Sequence, residues 1–296
     1  MIPPMKEDEM KKFFVYGMLI LSFLAFFSFT GDVFAEEPAF KNYVLIFQTL
    51  DYDTRLGDAV DYFLKEVLKP EDNFLLLTPQ KPYNFSQKTR QSTPLEKLIQ
   101  VTKNVLKRDI SMAGATYKDT IRQMELVVRT LTDPDTSQPK HLTAQYSQLK
   151  ESLFDLRKMN EKLFIELAGM FKQAKGENHI IILYEKRMRP IPNRQIMERL
   201  RASAEVRYEV NEVFDTESTK EVMNVETVIQ ALKDVSAKLD FVYMKTKERR
   251  SRDMELKEFS GDIYNAFSKI SKATGGTVMI ASRAAAALKK LMTGTK

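Results

Sequence analysis

The chain has 296 residues, a formal net charge of +6, 43% apolar and 29% charged residues, no cysteine and two histidines. Without cysteine there is no disulfide framework, no thiolate metal site and no cysteine-linked lipid. The ordinary apolar fraction predicts a chain that folds, and so small a positive excess bears on solubility and anionic surfaces rather than on fold.

The first segment has a composition of its own. Lys11 and Lys12 precede an apolar run over 13–29, a polar break follows at Thr30, Gly31 and Asp32, and Val33-Phe34-Ala35 leads into Glu36 and Glu37. A basic start, an apolar middle and a small-residue exit are the parts of a secretory signal, so 1–35 is expected to be removed after Ala35. Glu7, Asp8 and Glu9 spoil the basic start, and translation is expected to begin at Met10. The alternative is a retained anchor, although a run of about 17 residues is at the lower limit for crossing a bilayer.

Residues 42–47 form an apolar run of strand length, and 56–68 has helical spacing through Val60, Phe63, Leu64 and Val67 before Lys69 and Pro70 stop it. The runs 73–78 and 83–85, joined across Pro79 and Pro82, read as a hairpin. Further strands are expected over 178–184 and 240–244, with helices over 193–204, 219–239 and 255–274. A strand over 277–280 and a helix over 282–292 complete the pattern. Apolar strands alternating with amphipathic helices predict an α/β fold with a sheet covered on both faces.

Between 93 and 175 the alternation stops. Tyr117, Ile121, Met124, Val128 and Leu131 keep a heptad spacing, and after Asp133 to Pro139 it resumes at Leu142, Tyr146, Leu149, Leu153, Leu156, Asn160, Leu163, Leu167 and Met170. Asn160 then occupies a seam position, where Asn fixes register or partner number. The chain thus divides into a signal (1–35), an α/β domain (36–92 and 176–296) and a coiled-coil-like helical insertion (93–175). The helices either fold back as an intramolecular bundle with 95–106 or make a homo-oligomeric coil through 140–175.

The order of elements, with the ending Tyr264-Asn-Ala-Phe-Ser-Lys-Ile-Ser-Lys-Ala-Thr-Gly-Gly-Thr-Val, resembles the von Willebrand factor A-type domain of bacterial secreted proteins over roughly 40–90 and 176–292. The resemblance implies a doubly wound, mostly parallel sheet flanked by helices, and a binding role towards another protein. It also implies where a divalent cation would sit, on an Asp-x-Ser-x-Ser loop after the first strand plus a Thr and an Asp from later loops. Here the matching loop holds Gln48, Leu50 and Tyr52, and Asp51 and Asp53 fall one step off the spacing. At the end of 180–184 the family's Thr-Asp-Gly is replaced by Tyr184, Glu185 and Lys186; Glu185 could accept a cation, and Lys186 argues against one. The expectation is a degenerate site with no metal and no cofactor.

His141 and His179 lack partners at zinc-ligand spacing. No Gly-x-Ser-x-Gly elbow or phosphate-cradling glycine loop occurs, so the chain is not expected to be an enzyme. The positive signal is basic. Lys186, Arg187, Arg189 and Arg194 follow one strand, and Lys245, Lys247, Arg249, Arg250 and Arg252 follow another. Loops after the carboxyl ends of parallel strands share one edge, where ligands bind. The two runs are expected to converge there on an acidic protein surface or another anionic partner, or else to be neutralised by Asp51, Asp53, Glu185, Glu248 and Asp253. Nucleic acid is not expected, because no aromatics interleave the basic residues. The functional expectation is an exported, non-enzymatic adhesion- or assembly-type protein-binding module that crosses the membrane without remaining anchored. The alternative is an envelope-assembly factor that oligomerises through the helical insertion.

Overall fold

The computed structural model describes residues 40–133, 136, 138–203, 205–215, 223–245 and 254–294. The expected signal over 1–35, the start at Met10, and Lys247, Arg249, Arg250 and Arg252 lie outside the described residues. The strands are β1 (Lys41–Gln48), β2 (Asn73–Leu77), β3 (Pro82–Phe85), β4 (Glu177–Glu185), β5 (Met188–Pro192), β6 (Lys238–Met244), β7 (Met254–Glu258) and β8 (Val278–Ala281). The helices are α1 (Thr54–Tyr62), α2 (Gln87–Ser92), α3 (Leu95–Thr132), α4 (Pro139–Arg157), α5 (Glu161–Phe171), α6 (Arg194–Ala202), α7 (Arg207–Val210), α8 (Val225–Lys233), α9 (Gly261–Ala273) and α10 (Ala284–Thr293).

Six strands form one sheet in the order β3-β2-β1-β4-β6-β8, parallel except for β3, which pairs antiparallel with β2 at the edge. This is the doubly wound, mostly parallel α/β sheet that the alternation of apolar runs and helices predicts. Successive side chains of a strand point to opposite faces, and both faces here are apolar. Val44, Ile46, Ile180, Ile182 and Phe241 pack beneath α5, α8 and α9. Leu45, Phe47, Ile181, Leu183 and Val242 pack beneath α1, the first half of α3, and α10. Each such fully buried side chain contributes roughly 1.5–3 kcal/mol relative to exposure.

The amino ends of the strands are fixed by polar contacts. At the amino edge Asn73, Asn42 and Asn178 lie in register on β2, β1 and β4. Asn73 Nδ2 donates to Asn42 Oδ1 at 2.7 Å, Asn42 Nδ2 to Asn178 Oδ1 at 2.9 Å, and Asn178 Nδ2 to the Val235 carbonyl at 2.9 Å. The Thr274-Gly275-Gly276 turn closes α9 onto β8. Gly275 has φ +74°, which an L side chain rarely adopts, and a Cβ on Gly276 would stand 1.8 Å from the Leu239 carbonyl.

The segment 93–175 is distributed differently from a separate insertion. The first half of α3 (Leu98, Ile99, Leu106, Ile110) belongs to one sheet-covering layer, and α5 (Phe164, Leu167, Phe171) belongs to the other. At a rise of about 1.5 Å per residue α3 is roughly 57 Å long, so its second half runs past the sheet. There α3 and α4 form a helical hairpin whose heptad residues Tyr117, Met124, Val128, Leu131, Tyr146 and Leu153 share a third core with Ile196, Leu200, Val210, Phe214 and Met254. These seam positions are therefore filled within one chain, while Leu156, another heptad position, stays exposed.

Three sequence expectations are corrected. The coil over 142–170 is broken after Arg157, and Asn160 is the N-cap of α5, its side chain accepting from Lys162 N at 3.0 Å. A capping Asn satisfies a helix-end amide and fixes no partner number. Residues 255–258, expected as the start of a helix over 255–274, belong instead to β7, which pairs antiparallel with β5 in a separate two-stranded ribbon. β5 contains Pro190 and Pro192, tolerated because a two-stranded ribbon has only edges. Finally, the helix expected over 56–68 ends in a π turn at Phe63–Val67.

Candidate functional site

The carboxyl edge of a doubly wound sheet is where this architecture offers a ligand crevice. Here the crevice lies between the loop after β1 and the end of β4. The Glu185 carboxylate accepts from Leu50 N at 2.6 Å and Asp51 N at 3.3 Å, holding the loop down. Two residues on, Arg187 turns inward and is 2% exposed. Its Nη2 donates to the Gln48 carbonyl at 3.1 Å, its Nη1 stands 4.0 Å from Glu185 Oε2, and its guanidinium lies 5.0 Å from the Tyr184 ring centre and 5.7 Å from that of Tyr117. The Arg187 backbone N–H donates to Ser260 Oγ at 2.9 Å, and Ser260 is in turn hydrogen-bonded to Tyr243. Burial pushes the Glu185 carboxyl above the ordinary carboxylate range, against the pull of Arg187 and the two backbone N–H groups.

Helix α3 closes the crevice from above. A Cβ on Gly114 would lie 2.1 Å from the Leu50 carbonyl oxygen, so only glycine lets the helix approach so closely. One turn later the Tyr117 hydroxyl donates to the Met188 carbonyl and accepts from Met188 N at 3.1 Å, and Lys118 pairs with Asp51. Burial pushes the Tyr117 phenol up, so it stays a neutral donor.

The positions matching the family's ligand loop are all otherwise engaged. The Gln48 carbonyl receives Arg187, Leu50 is buried, and Tyr52 packs against the core beneath α1. Asp53 caps α1, accepting from Leu56 N at 3.2 Å, and pairs with Arg55. Glu185 is the one candidate ligand aimed at the crevice, and it faces a guanidinium. Among the described residues no group of three or more His, Asp or Glu side chains could hold a metal ion. These donors do not fit a divalent cation, because the positive charge opposite Glu185 is supplied by Arg187.

The expected basic patch is not assembled by its described members. Arg187 and Arg189 are each 2% exposed and serve the interior. Arg189 donates to the Phe214 carbonyl at 2.8 Å and to Tyr146 Oη at 3.3 Å, while Tyr146 donates to the Pro190 carbonyl. Lys186 Nζ pairs with Glu258 at 2.7 Å. Arg194 is exposed and pairs with Glu198 at 2.9 Å along α6, and Lys245 is exposed beside β8. An inward turn follows from alternation: Arg187 and Arg189 share one side of the chain, and the side they share is the one facing α3 and α4. Sequence reasoning missed Arg157, Tyr117 and Tyr146. Arg157 is buried at the end of α4, pairs with Asp262, and lies 4.1 Å from the Phe154 ring centre. The tyrosine hydroxyls at heptad positions 117 and 146 were the available signal for those two; Arg157 stands beside the heptad position Leu156, which is itself exposed, so the spacing gave no sign of it.

His179 lies on β4 beside Tyr43 and Glu177, and His141 lies on α4, each on its own element. No protein-family model matches the chain, and no curated protein matches it. Among solved structures, the chain is similar to the TFIIH p34 N-terminal domain, at 11% identity and a TM-score of 0.34 over 86% of this chain and 97% of that one. A likeness so slight transfers no property; the doubly wound sheet is seen directly in the strand order.

Proposed function

We propose that this chain is an exported, non-enzymatic module of the von Willebrand A kind that binds another protein without a metal ion. The observation that carries this reading is the closure of the carboxyl edge by Glu185 on the Leu50 and Asp51 amides and by Arg187 on the Gln48 carbonyl. A crevice filled by the chain's own ion pair leaves recognition to the outer surface. That surface includes the layer built by α3, α4, α6 and α7, which exposes Leu126 at 65%, Met112 at 59% and Tyr208 at 84%. Exposed aromatic and large apolar residues are what protein interfaces draw on. Export rests on the composition of 1–35; among the described residues no helix is long and apolar enough to cross a membrane.

The test uses the full chain produced in its own cells. An intact mature protein beginning at Glu36 in an envelope or external fraction, capturing a discrete protein equally with and without a chelator, is the expected result. Capture abolished by chelation, or a melting temperature raised by millimolar calcium or magnesium, would overturn the metal-independent reading. A mature protein confined to the cytoplasm would overturn export.

A further inference from the structure

A second opening lies on the other side of the molecule from the closing helix α3. On the face covered by α5, α8 and α9, the β2–β3 end of the sheet projects beyond α5 and leaves a cleft of about 580 Å³. Leu75 and Leu77 form its floor, and Met159, Leu167 and Met170 form the helix wall. The turn after β2 closes one end, and the break between α4 and α5 closes another, so the cleft is walled on several sides. Its volume falls in the range of roughly 300–1,000 Å³ typical of small-molecule sites.

The polar groups at its rim are mainly carboxamides: Gln48, Gln80 and Asn160 gather where β1, β2 and the helix break meet. Amides donate and accept equally and carry no charge. Charged groups of both signs also line it: Lys158 pairs with Asp155 at 2.8 Å, Lys81 lies over the Tyr83 ring at 5.2 Å, and Glu166 on α5 is exposed, so the rim carries no excess of one sign large enough to select an anion. Methionine walls are polarizable and adapt to flat rings.

An independent observation concerns Gly169, which lines the same cleft from the interior of α5. It is exposed, and a Cβ there would meet nothing within 4 Å. Glycine inside a helix is destabilising relative to alanine, and no neighbour requires it here. What its missing side chain does is keep the mouth of the cleft clear.

We propose that this cleft binds one neutral, flat, mainly apolar small molecule whose hydrogen-bonding groups lie at the amide rim. The probe is Nile red, a neutral flat dye, titrated into the full chain. Expected is saturable, blue-shifted emission at one dye per chain, an affinity at least tenfold lower in Gly169→Phe, and retained binding in Gly169→Ala, with neither variant melting below the parent. Retention in Gly169→Ala separates blockage from any effect on the helix. Four results would each overturn the proposal: no saturable binding, binding unaffected by Gly169→Phe, loss of binding in Leu126→Ser on the remote layer, or equal affinity for the anionic dye 1-anilinonaphthalene-8-sulfonate. If light scattering showed instead that Gly169→Phe dissociates an oligomer of this chain, the cleft would be an interface and the small-molecule assignment would fall.

Discussion

The carboxylate of Glu185 accepts the backbone N–H of Leu50 at 2.6 Å, tying the end of β4 to the loop after β1 across the ligand edge of the sheet. Glu185→Ala would strip both Leu50 and Asp51 amides of their acceptor and leave Arg187 without its counter-charge. A loss of about 2–3 kcal/mol is expected in urea unfolding at pH 7. Glu185→Gln retains an acceptor and should cost less than half as much. Because the folded carboxyl is raised, its favourable contribution in the protonated form is full below the ordinary glutamate value of 4.5 and declines as pH rises through the folded value. That decline should be absent in Glu185→Gln, and an identical pH profile in both proteins would refute it.

Gly114→Ala places a methyl group 2.1 Å from the Leu50 carbonyl oxygen. Alanine favours helix by about 1 kcal/mol over glycine, so on an open helix face the change would stabilise. Here α3 must shift off the loop, and a net destabilisation of about 1–3 kcal/mol is expected. A raised melting temperature would show that the close approach does not exist in solution.

Lys150 gives a pH-dependent test of the capping layer. Its ammonium donates to the Val213 carbonyl at 3.0 Å, and burial, followed by the Arg189 charge, holds its pKa down to about 8. Lys257 also lowers it, while Glu151 and Glu212 oppose the shift. The folded value lies below the ordinary 10.5, so the cost of keeping the group charged is present below about 8 and is relieved as pH rises from there towards 10.5. Above 10 the buried Tyr146 phenol, pushed up to about 12 by burial, acts in the opposite direction. Stability should therefore rise between pH 8 and 10 through Lys150, and Lys150→Met should flatten that rise. At pH 7 the variant should gain about 1 kcal/mol, a small figure because the group is partly exposed and screened. Guanidinium unfolding at stepped pH measures both.

Asn160 separates a capping role from a coil-register role. Asn160→Ala removes the acceptor for Lys162 N at 3.0 Å and should cost about 1 kcal/mol, with no change of mass in light scattering. A shift in oligomeric state would restore the seam reading.

Much of the architecture was written in local pattern. The strand runs beginning at Asn42, Asn73 and Asn178 are apolar on both faces, which only a covered parallel sheet accommodates, and the Thr274-Gly275-Gly276 turn is legible from glycine chemistry alone. Other features depended on what lies opposite. The heptads of 117–131 and 142–153 are the same whether a second chain or β5 fills the seam; tertiary packing placed Tyr117 against Met188 and Tyr146 against Pro190. Arg187 and Arg189 look like surface charge in one dimension, and they became interior groups because Tyr117 of α3 stands over the first while Tyr146 of α4 and the Phe214 carbonyl receive the second. The sequence by itself determined which residues must be covered, since burial of apolar surface follows from residue type. Only the tertiary structure decided that Glu185 and Arg187, two residues apart, both turn inward, because Glu185 is held by the Leu50 amide and Arg187 by the Gln48 carbonyl, contacts between segments more than 60 residues apart that local periodicity does not encode.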